Sequence, residues 1–487
     1  MTPRGSAFVL GVAGLTRAAI GLWLGFRPFD DTYITFRYAL NLASGHGFVY
    51  NVGESVLGTT APLWAMMLGA FAVIGAPIEQ TALVISLACD VASAFFLWRL
   101  LSALGFGGGI PLAAAMIFLG TFDYLSLARS GMESSFFAFL VLGSLTSMAT
   151  RRFVAAATFT ALAVLTRPEG TLLLIMLPVA VWYYRADLRT RDIAVGFAWL
   201  VVIAGSWAVY ATITFGSFIP QSVVAKAGMF KDPALRQFSW NNIALFFLRG
   251  QHGGEIFTRT YVQLMPVVSL LAGVGAVWLV VNALRQRIGD AIPRVGLLLF
   301  FPCAYVAAMA SSHAFTYFPW YYAPIYPFMA ALVPIGTAAL ARSSTKTVLS
   351  VACAVIAAQT AAAVFVKLPA DTTYWVDGYF DVSDTVRRDA ALTIAAPEIG
   401  AIGWRAWPAS ILDLEGLVSP DSVGVPRQAL LKSKRPHYLI VRTDNAADLL
   451  RVLDADPWFA ETYELIASRR DPYVDRDFRT YKKKSDE

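Results

Sequence analysis

Apolar stretches of bilayer length recur along the first three quarters of this chain, and that repetition limits its fold more than any other feature. They lie near residues 7–26, 81–101, 108–127, 133–150, 153–167, 170–184, 193–213, 262–282, 294–311, 320–340 and 347–366. A crossing helix needs roughly 20 residues, so the two runs flanking Pro168 are short and read as tilted or partly embedded. Only helices and closed barrels satisfy every backbone polar group within lipid, and runs this long exclude barrel strands. Composition agrees: 57% of the 487 residues are hydrophobic and only 15% are charged, whereas a soluble domain carries roughly a quarter charged residues. The formal charge of +6 is spread without a long basic face, so nucleic acid is not an expected partner. Cys89, Cys303 and Cys353 sit inside apolar runs and read as small buried hydrophobes rather than a disulfide or zinc framework. The N-terminal run lacks a small-residue cleavage site and reads as a retained first helix.

Sidedness follows from the basic residues. If 61–78 does not cross, then Arg99, Arg151–Arg152, Arg185–Arg189–Arg191, Arg285–Arg287 and Arg342–Lys346 all share the face of the N-terminus. That is the positive-inside pattern, and it makes 61–78 an interfacial or re-entrant helix. With about eleven crossings, the opposite, extracytoplasmic face receives the first loop (27–80), the stretches Arg129–Glu133 and Arg167–Glu169, the loop 214–261 and everything from residue 367 onward. From there charged residues become frequent and short β-type runs appear at Leu392–Ala396, Ile411–Leu414, Tyr438–Arg442 and Tyr463–Ala467, with a helical Ala446–Leu453 between the last two. Residues 367–487 therefore read as a small soluble α/β domain following a membrane module of residues 1–366.

The residues fit for chemistry gather on that outer face. Asp30 and Asp31 open the first loop, ahead of a helical run; acidic residues there serve equally as a helix cap or as catalytic carboxylates. Arg37 follows close to two helical turns later, placed to pair with a carboxylate or an anionic ligand. Arg129, Arg167, Lys226, Lys231, Arg236 and Arg259 are the outward cations able to meet a phosphate. Arg129 with Glu133 and Arg167 with Glu169 also read as ion pairs that fix helix ends. His46 and His313 should face outward, and a lone histidine is more often scaffold than catalyst. Trp64, Tyr317, Trp320, Tyr321 and Tyr322 suit either a sugar face and prenyl chain or the bilayer edge. Ligand spacings for a transition metal and a nucleotide-binding P-loop are both absent from the sequence. Within the membrane, Arg17 and Asp90 have opposite sign and matched depth. They are expected to face one another across the first two crossings, or else Asp90 lines a proton or ion path.

Several ordered motifs then carry a family resemblance over nearly the whole chain. The acidic pair is followed by TYITFRYALNLASGHGFVYNVGE (32–54) and GTTAPLW (58–64), then RSGMESSFF (129–137), LTRPEG (165–170), FIPQSVVAKAG (218–228), YFPWYYAPIYP (317–327), EIGAIGW (398–404) and ILDLEGLVSPD (411–421). In this order they resemble the GT-C glycosyltransferases that use polyprenyl-phosphate sugars, a group including protein mannosyltransferases, aminoarabinose transferases and terminal arabinofuranosyltransferases. The resemblance implies a polytopic helical membrane fold of GT-C type, with interfacial helices in the first outer loop and a C-terminal α/β domain. It implies inverting transfer of a sugar from an undecaprenyl- or decaprenyl-phosphate carrier to a hydroxyl of a cell-envelope polysaccharide or glycolipid, arabinofuranosyl transfer being one candidate. The site would face outward from a bacterial inner membrane. Asp30 maps to the catalytic base; Asp31 would orient the acceptor or help hold a divalent cation; Lys226 would meet the lipid phosphate. Glu398 and Asp413 fall in the tail motifs and fit either acceptor binding or a scaffold. A carboxylate base of ordinary pKa is ionised at neutral pH, so no special tuning is required. The competing reading is a transporter or flippase for lipid-linked sugars, which would spread charges through the membrane and show an internal repeat.

Overall fold

Runs of Leu, Ala, Val and Phe that exceed a bilayer thickness can only satisfy their own peptide groups by coiling, and over the described residues each of the apolar runs above is mainly helical. In the computed structural model, which describes residues 2–107, 109–229, 233–249, 265–285, 288–312, 318–341, 345–362, 375–386, 388–470 and 476–484, six helices are long and apolar enough to cross a membrane. They are Pro3–Leu24, Ile78–Ala103, Thr190–Phe215, Pro266–Arg285, Ile292–Ser311 and Pro319–Leu340. A seventh candidate is a pair, Ile110–Gly120 and Phe122–Arg129, bent by 55° at its break. The other runs form shorter helices, among them Ser134–Ala149, Phe153–Thr166 and Pro168–Tyr184. The protein is a multi-pass membrane protein. Pro62–Val73, the segment on which sidedness turns, is 12 residues long, about 18 Å of helix at 1.5 Å per residue.

The chain folds as two compact units. One comprises Met1–Arg27, Ala82–Ala208 and Asp232–Ala370; the other comprises Pro28–Thr81, Val209–Lys231 and Asp371–Glu487.

Within the first unit, lipid offers helices no hydrophobic reason to associate, so close packing and polar contacts decide. A Cβ on Gly275 would stand 2.3 Å from the Leu332 carbonyl oxygen, and one on Gly336 would stand 2.0 Å from that of Leu271. The helices Met265–Arg285 and Tyr326–Ala341 therefore meet backbone to backbone. Arg17 and Asp90 do face one another: Nη2 and Nε of Arg17 lie 2.6 and 2.9 Å from Asp90 Oδ2, both groups fully enclosed. The same guanidinium donates Nη1 to the carbonyls of Leu119 (2.6 Å) and Thr121 (3.1 Å). Those carbonyls sit at the break of the bent pair, where intrahelical partners are lost, so one ion pair also closes a kink. Cys89 is buried as expected, whereas Cys303 and Cys353 lie exposed on their helices.

The second unit is built on a five-stranded sheet of order β2-β1-β3-β5-β4. Its strands are β1 (Thr393–Ala396), β2 (Ser410–Asp413), β3 (Tyr438–Arg442), β4 (Tyr463–Arg470) and β5 (Asp477–Lys483). β1 runs parallel to β2 and β3, while β5 is antiparallel to β3 and β4. The crossovers are short helices, Gly400–Arg405 between β1 and β2 and Arg427–Lys434 between β2 and β3. Leu412, Leu430, Leu431, Leu439, Val441 and Leu453 form the core between sheet and helices. The first-loop segment belongs to this unit and is stitched into it. Asn51 exchanges two 2.9 Å hydrogen bonds with the backbone of Ile411 in β2, as a neighbouring strand would. Tyr50 Oη donates to the Ile399 carbonyl at 2.6 Å, and Trp407 Nε1 donates to Asn41 Oδ1 at 2.9 Å.

Candidate functional site

Asp30 and Asp31 form the first turn of the helix Asp30–Ala43, one step inside its start, and the N-cap position falls on Phe29. Neither carboxylate caps its own helix. Asp30 instead reaches the helix Gly400–Arg405: Oδ2 accepts the Gly400 N–H at 3.0 Å and Oδ1 accepts the Ala401 N–H at 2.8 Å. The approach demands glycine. A Cβ on Gly400 would lie 1.7 Å from the Asp30 carbonyl oxygen, and one on Gly403 would lie 2.0 Å from Tyr50 Oη. The EIGAIGW motif thus reads physically as a helix start with its side chains removed where the acidic helix crosses it.

Two residues before Gly400 stands Glu398, held by donors from three directions. Tyr379 Oη donates to it, Arg442 Nη1 lies 3.1 Å away and Asn445 Nδ2 2.8 Å away. Asp30 is only 7% exposed. Burial, then the neighbouring charges of Glu398 and Asp31, push its carboxyl from 3.8 up to about 7, against the opposing pull of the Ala401 and Gly400 amides. The Asp30 carboxyl therefore lies above the ordinary carboxylate range. Asp31 is partly exposed; burial raises its carboxyl, and the positive charge of Lys226 opposes that shift. Lys226 lies on the helix Gln221–Met229, whose first residue donates its backbone N–H to the Leu57 carbonyl (2.7 Å) and Nε2 to the Gly416 carbonyl (3.2 Å). Asp30, Asp31 and Lys226 are thus brought together within one unit, with Glu398 added. Asp413 is fully buried, taking the backbone N–H groups of Glu415 and Val418, and is a loop scaffold.

Arg37 departs from expectation. It is 0% exposed, with Nε on the Tyr50 carbonyl (2.8 Å), Nη1 on that of Gly403, and Nη2 on the Ala409 carbonyl (2.6 Å) and Asn51 Oδ1 (3.3 Å). Among the described residues it pairs with no carboxylate, and its guanidinium is taken up by four carbonyl oxygens rather than offered to a ligand. His46 is exposed, its ring 6.4 Å from that of Trp407. Trp64, expected to meet a sugar or prenyl chain or the bilayer edge, is fully buried in this unit.

Arg129, Glu133, Arg167, Glu169, Trp320 and Tyr322 lie in the other unit. Arg129 is buried, with Nε and Nη2 donating to the carbonyls of Gly25 and Leu24 (both 2.8 Å), and so closes the C-terminal end of the first helix. Glu133 takes its ion pair from Arg167 at 2.7 Å, and the same guanidinium meets Glu169 at 3.1 Å. Arg167 therefore joins two carboxylates that sequence spacing assigns to separate pairs. Trp320 and Tyr322 are buried, stacked on Phe318 (4.4 Å) and Phe246 (4.1 Å), and are core rather than an open aromatic platform. Lys231, Arg259, His313 and Tyr317 lie outside the described residues, as does the side chain of Arg236.

Each Asp30 oxygen accepts one backbone N–H, and among the described residues no three His, Cys, Asp or Glu side chains converge as metal ligands. What the group offers is a buried carboxylate of neutral pKa beside a second acid and a lysine.

Residues 373–482 match the family described as "Domain of unknown function (DUF8728)". Comparison with curated protein sequences finds no match. Among solved structures, ArnT from Cupriavidus metallidurans bound to undecaprenyl phosphate aligns over 98% of both chains with a TM-score of 0.54 and 13% identity. Its apo form gives 0.57 and 15% over the same coverage. The apo oligosaccharyltransferase of Archaeoglobus fulgidus gives 0.56 and 13% over 90% of this chain and 70% of its own. Identities this low speak for the fold alone, and over nearly all of its length the fold of this chain is similar to that of these two proteins.

Proposed function

We propose that the protein is a membrane glycosyltransferase that moves one sugar from a polyprenyl-phosphate donor to a hydroxyl of a cell-envelope polysaccharide or glycolipid, with Asp30 as general base. The observation that carries this reading is the Asp30 carboxylate itself: buried, fixed by two backbone amides and tuned to about 7, in a fold shared with an enzyme solved with undecaprenyl phosphate. A base works best when its pKa lies near the operating pH. Each carboxylate oxygen has two acceptor directions, so the amide bonds leave Asp30 able to take the proton of an acceptor hydroxyl.

In the step itself the acceptor oxygen forms its bond to the anomeric carbon as the bond from that carbon to the phosphate oxygen breaks. The hydroxyl proton goes to Asp30, and polyprenyl phosphate leaves with the bonding electrons. One displacement with one base inverts the anomeric centre. Lys226 supplies a positive charge for the leaving phosphate and favours the ionised form of Asp31, which orients the acceptor. The site and the α/β domain face the outside of a bacterial inner membrane, where nucleotide sugars are absent and a lipid-borne donor is the available source.

The test is transfer by the full-length protein in nanodiscs, given synthetic polyprenyl-phosphate arabinofuranose, mannose or aminoarabinose and an extract of envelope glycolipids. Acceptor-dependent release of polyprenyl phosphate, with an inverted anomeric linkage by NMR, supports the reading. Movement of intact donor between leaflets without release would support a flippase and defeat it.

A further inference from the structure

We propose that Glu398 is a positioning residue for this reaction: pinned by Tyr379, Arg442 and Asn445, it fixes a negative charge beside Asp30 and makes Asp30 a stronger base than a lone aspartate. The inference rests on the reading of Asp30 as base and deepens it.

The geometry is set by the backbone. Asp30 is bonded to the amides of Gly400 and Ala401. Glu398 is two residues before Gly400, at most about 7 Å away between α-carbons, so it cannot leave the neighbourhood of Asp30 while those bonds hold. Its carboxylate is in turn immobilised by the Tyr379 hydroxyl, by Arg442 at 3.1 Å and by Asn445 at 2.8 Å. All three are donors, and donors favour the ionised form of a carboxyl group. Arg442 is anchored by Asp444 at 2.6 Å, and Tyr379 packs edge-on to Phe478 of β5 at 5.0 Å. The device therefore belongs to the α/β sheet.

The other charged and titratable groups facing the pair are few. Asp31 adds a like charge to both Asp30 and Glu398; Lys226 acts on Asp31; Tyr50 and Tyr379 lie near Asp30; Arg442 and Asp444 act on Glu398. Burial raises both carboxyls, and among neighbouring charges Glu398 acts most strongly on Asp30. A like charge held close raises the proton affinity of its neighbour, and a base of higher proton affinity removes a hydroxyl proton faster once it is ionised.

The test is the pH profile of turnover for full-length wild type, Glu398→Gln and Glu398→Asp in nanodiscs, with the melting transition and the donor KM recorded alongside. With the Asp30 carboxyl pushed up to about 7, the expected acid limb of wild type is near pH 7. Glu398→Gln moves that limb down by about one unit and lowers the alkaline plateau of kcat several-fold, with donor KM within about twofold of wild type. Glu398→Asp keeps the charge on a shorter arm and moves the limb by about half as much. An unmoved limb in either folded variant overturns the proposal, as does equal loss of kcat in both with no change in limb. Glu398→Asp carries the test alone if Glu398→Gln does not fold. Wild-type turnover by Asp30→Asn in the same assay would defeat the base assignment itself, whereas an inactive Asp30→Asn with an unmoved Glu398→Gln limb defeats only this inference.

Discussion

The tuning of Asp30 has a consequence for stability that needs no substrate. Its carboxyl lies at 3.8 in an unfolded chain and near 7 in the fold, mainly through burial. Between those values the folded protein holds a proton that the unfolded chain has released. Folding is therefore favoured at low pH, and the advantage disappears as pH rises towards 7. Each pKa unit is worth about 1.4 kcal/mol, so from pH 5 to pH 8 wild type loses about 3 kcal/mol through this one group. Asp30→Asn abolishes that dependence. Its amide presents a single acceptor to two backbone N–H groups, a fixed deficit of about 1–3 kcal/mol. Thermal and denaturant unfolding in detergent across this range should show the Asp30→Asn variant less stable than wild type at pH 5 and equal or more stable at pH 8. The difference between the two should move by about 3 kcal/mol in favour of the variant. Parallel pH dependences for wild type and variant would refute the titration of Asp30 near neutrality.

Other outcomes follow from the packing. Because Arg17 and Asp90 are enclosed and paired, neutralising either strands a charge and should cost about 3–5 kcal/mol, while a double-mutant cycle of Arg17→Gln and Asp90→Asn should show coupling of at least about 2 kcal/mol; additive effects would exclude a direct pair. Exchanging the two charges should restore only part of the loss, since the Leu119 and Thr121 carbonyls would keep no donor. Gly400→Ala must displace Asp30 by overlap with its backbone, and should lower turnover at least about tenfold and stability by about 1–3 kcal/mol. Gly11→Ala, with open space around the new methyl, should leave both unchanged.

How far the fold is legible in the sequence depends on whether a signal is local. Apolar period and length mark the helices, and the run Tyr438–Arg442 is β3 residue for residue. β5 escapes sequence reading because Asp477–Lys483 is mostly charged; its strand character comes from β3 and β4 on either side, and only Phe478, Thr480 and Tyr481 are buried. The acidic pair is legible from its motif. Arg37 misleads because its carbonyl partners at Gly403 and Ala409 are more than 360 residues away, and a lone arginine on a polar helix looks the same whether it awaits a ligand or a fold. Glu398 stands out only as a tail motif residue, since its bearing on Asp30 arises from a closure across 370 positions. A usable signal is nonetheless present: Gly400 and Gly403 occupy a helix, where glycine is a poor former, and glycine in such a place marks a close backbone approach.

The most direct test of Asp30 as the base is single turnover of a polyprenyl-phosphate sugar by wild type and Asp30→Asn, with donor affinity measured in parallel. Loss of a carboxylate base should reduce transfer about 10²–10⁴-fold while donor binding stays within a few-fold. Transfer by Asp30→Asn at the wild-type rate, or loss of donor binding together with transfer, would contradict the assignment.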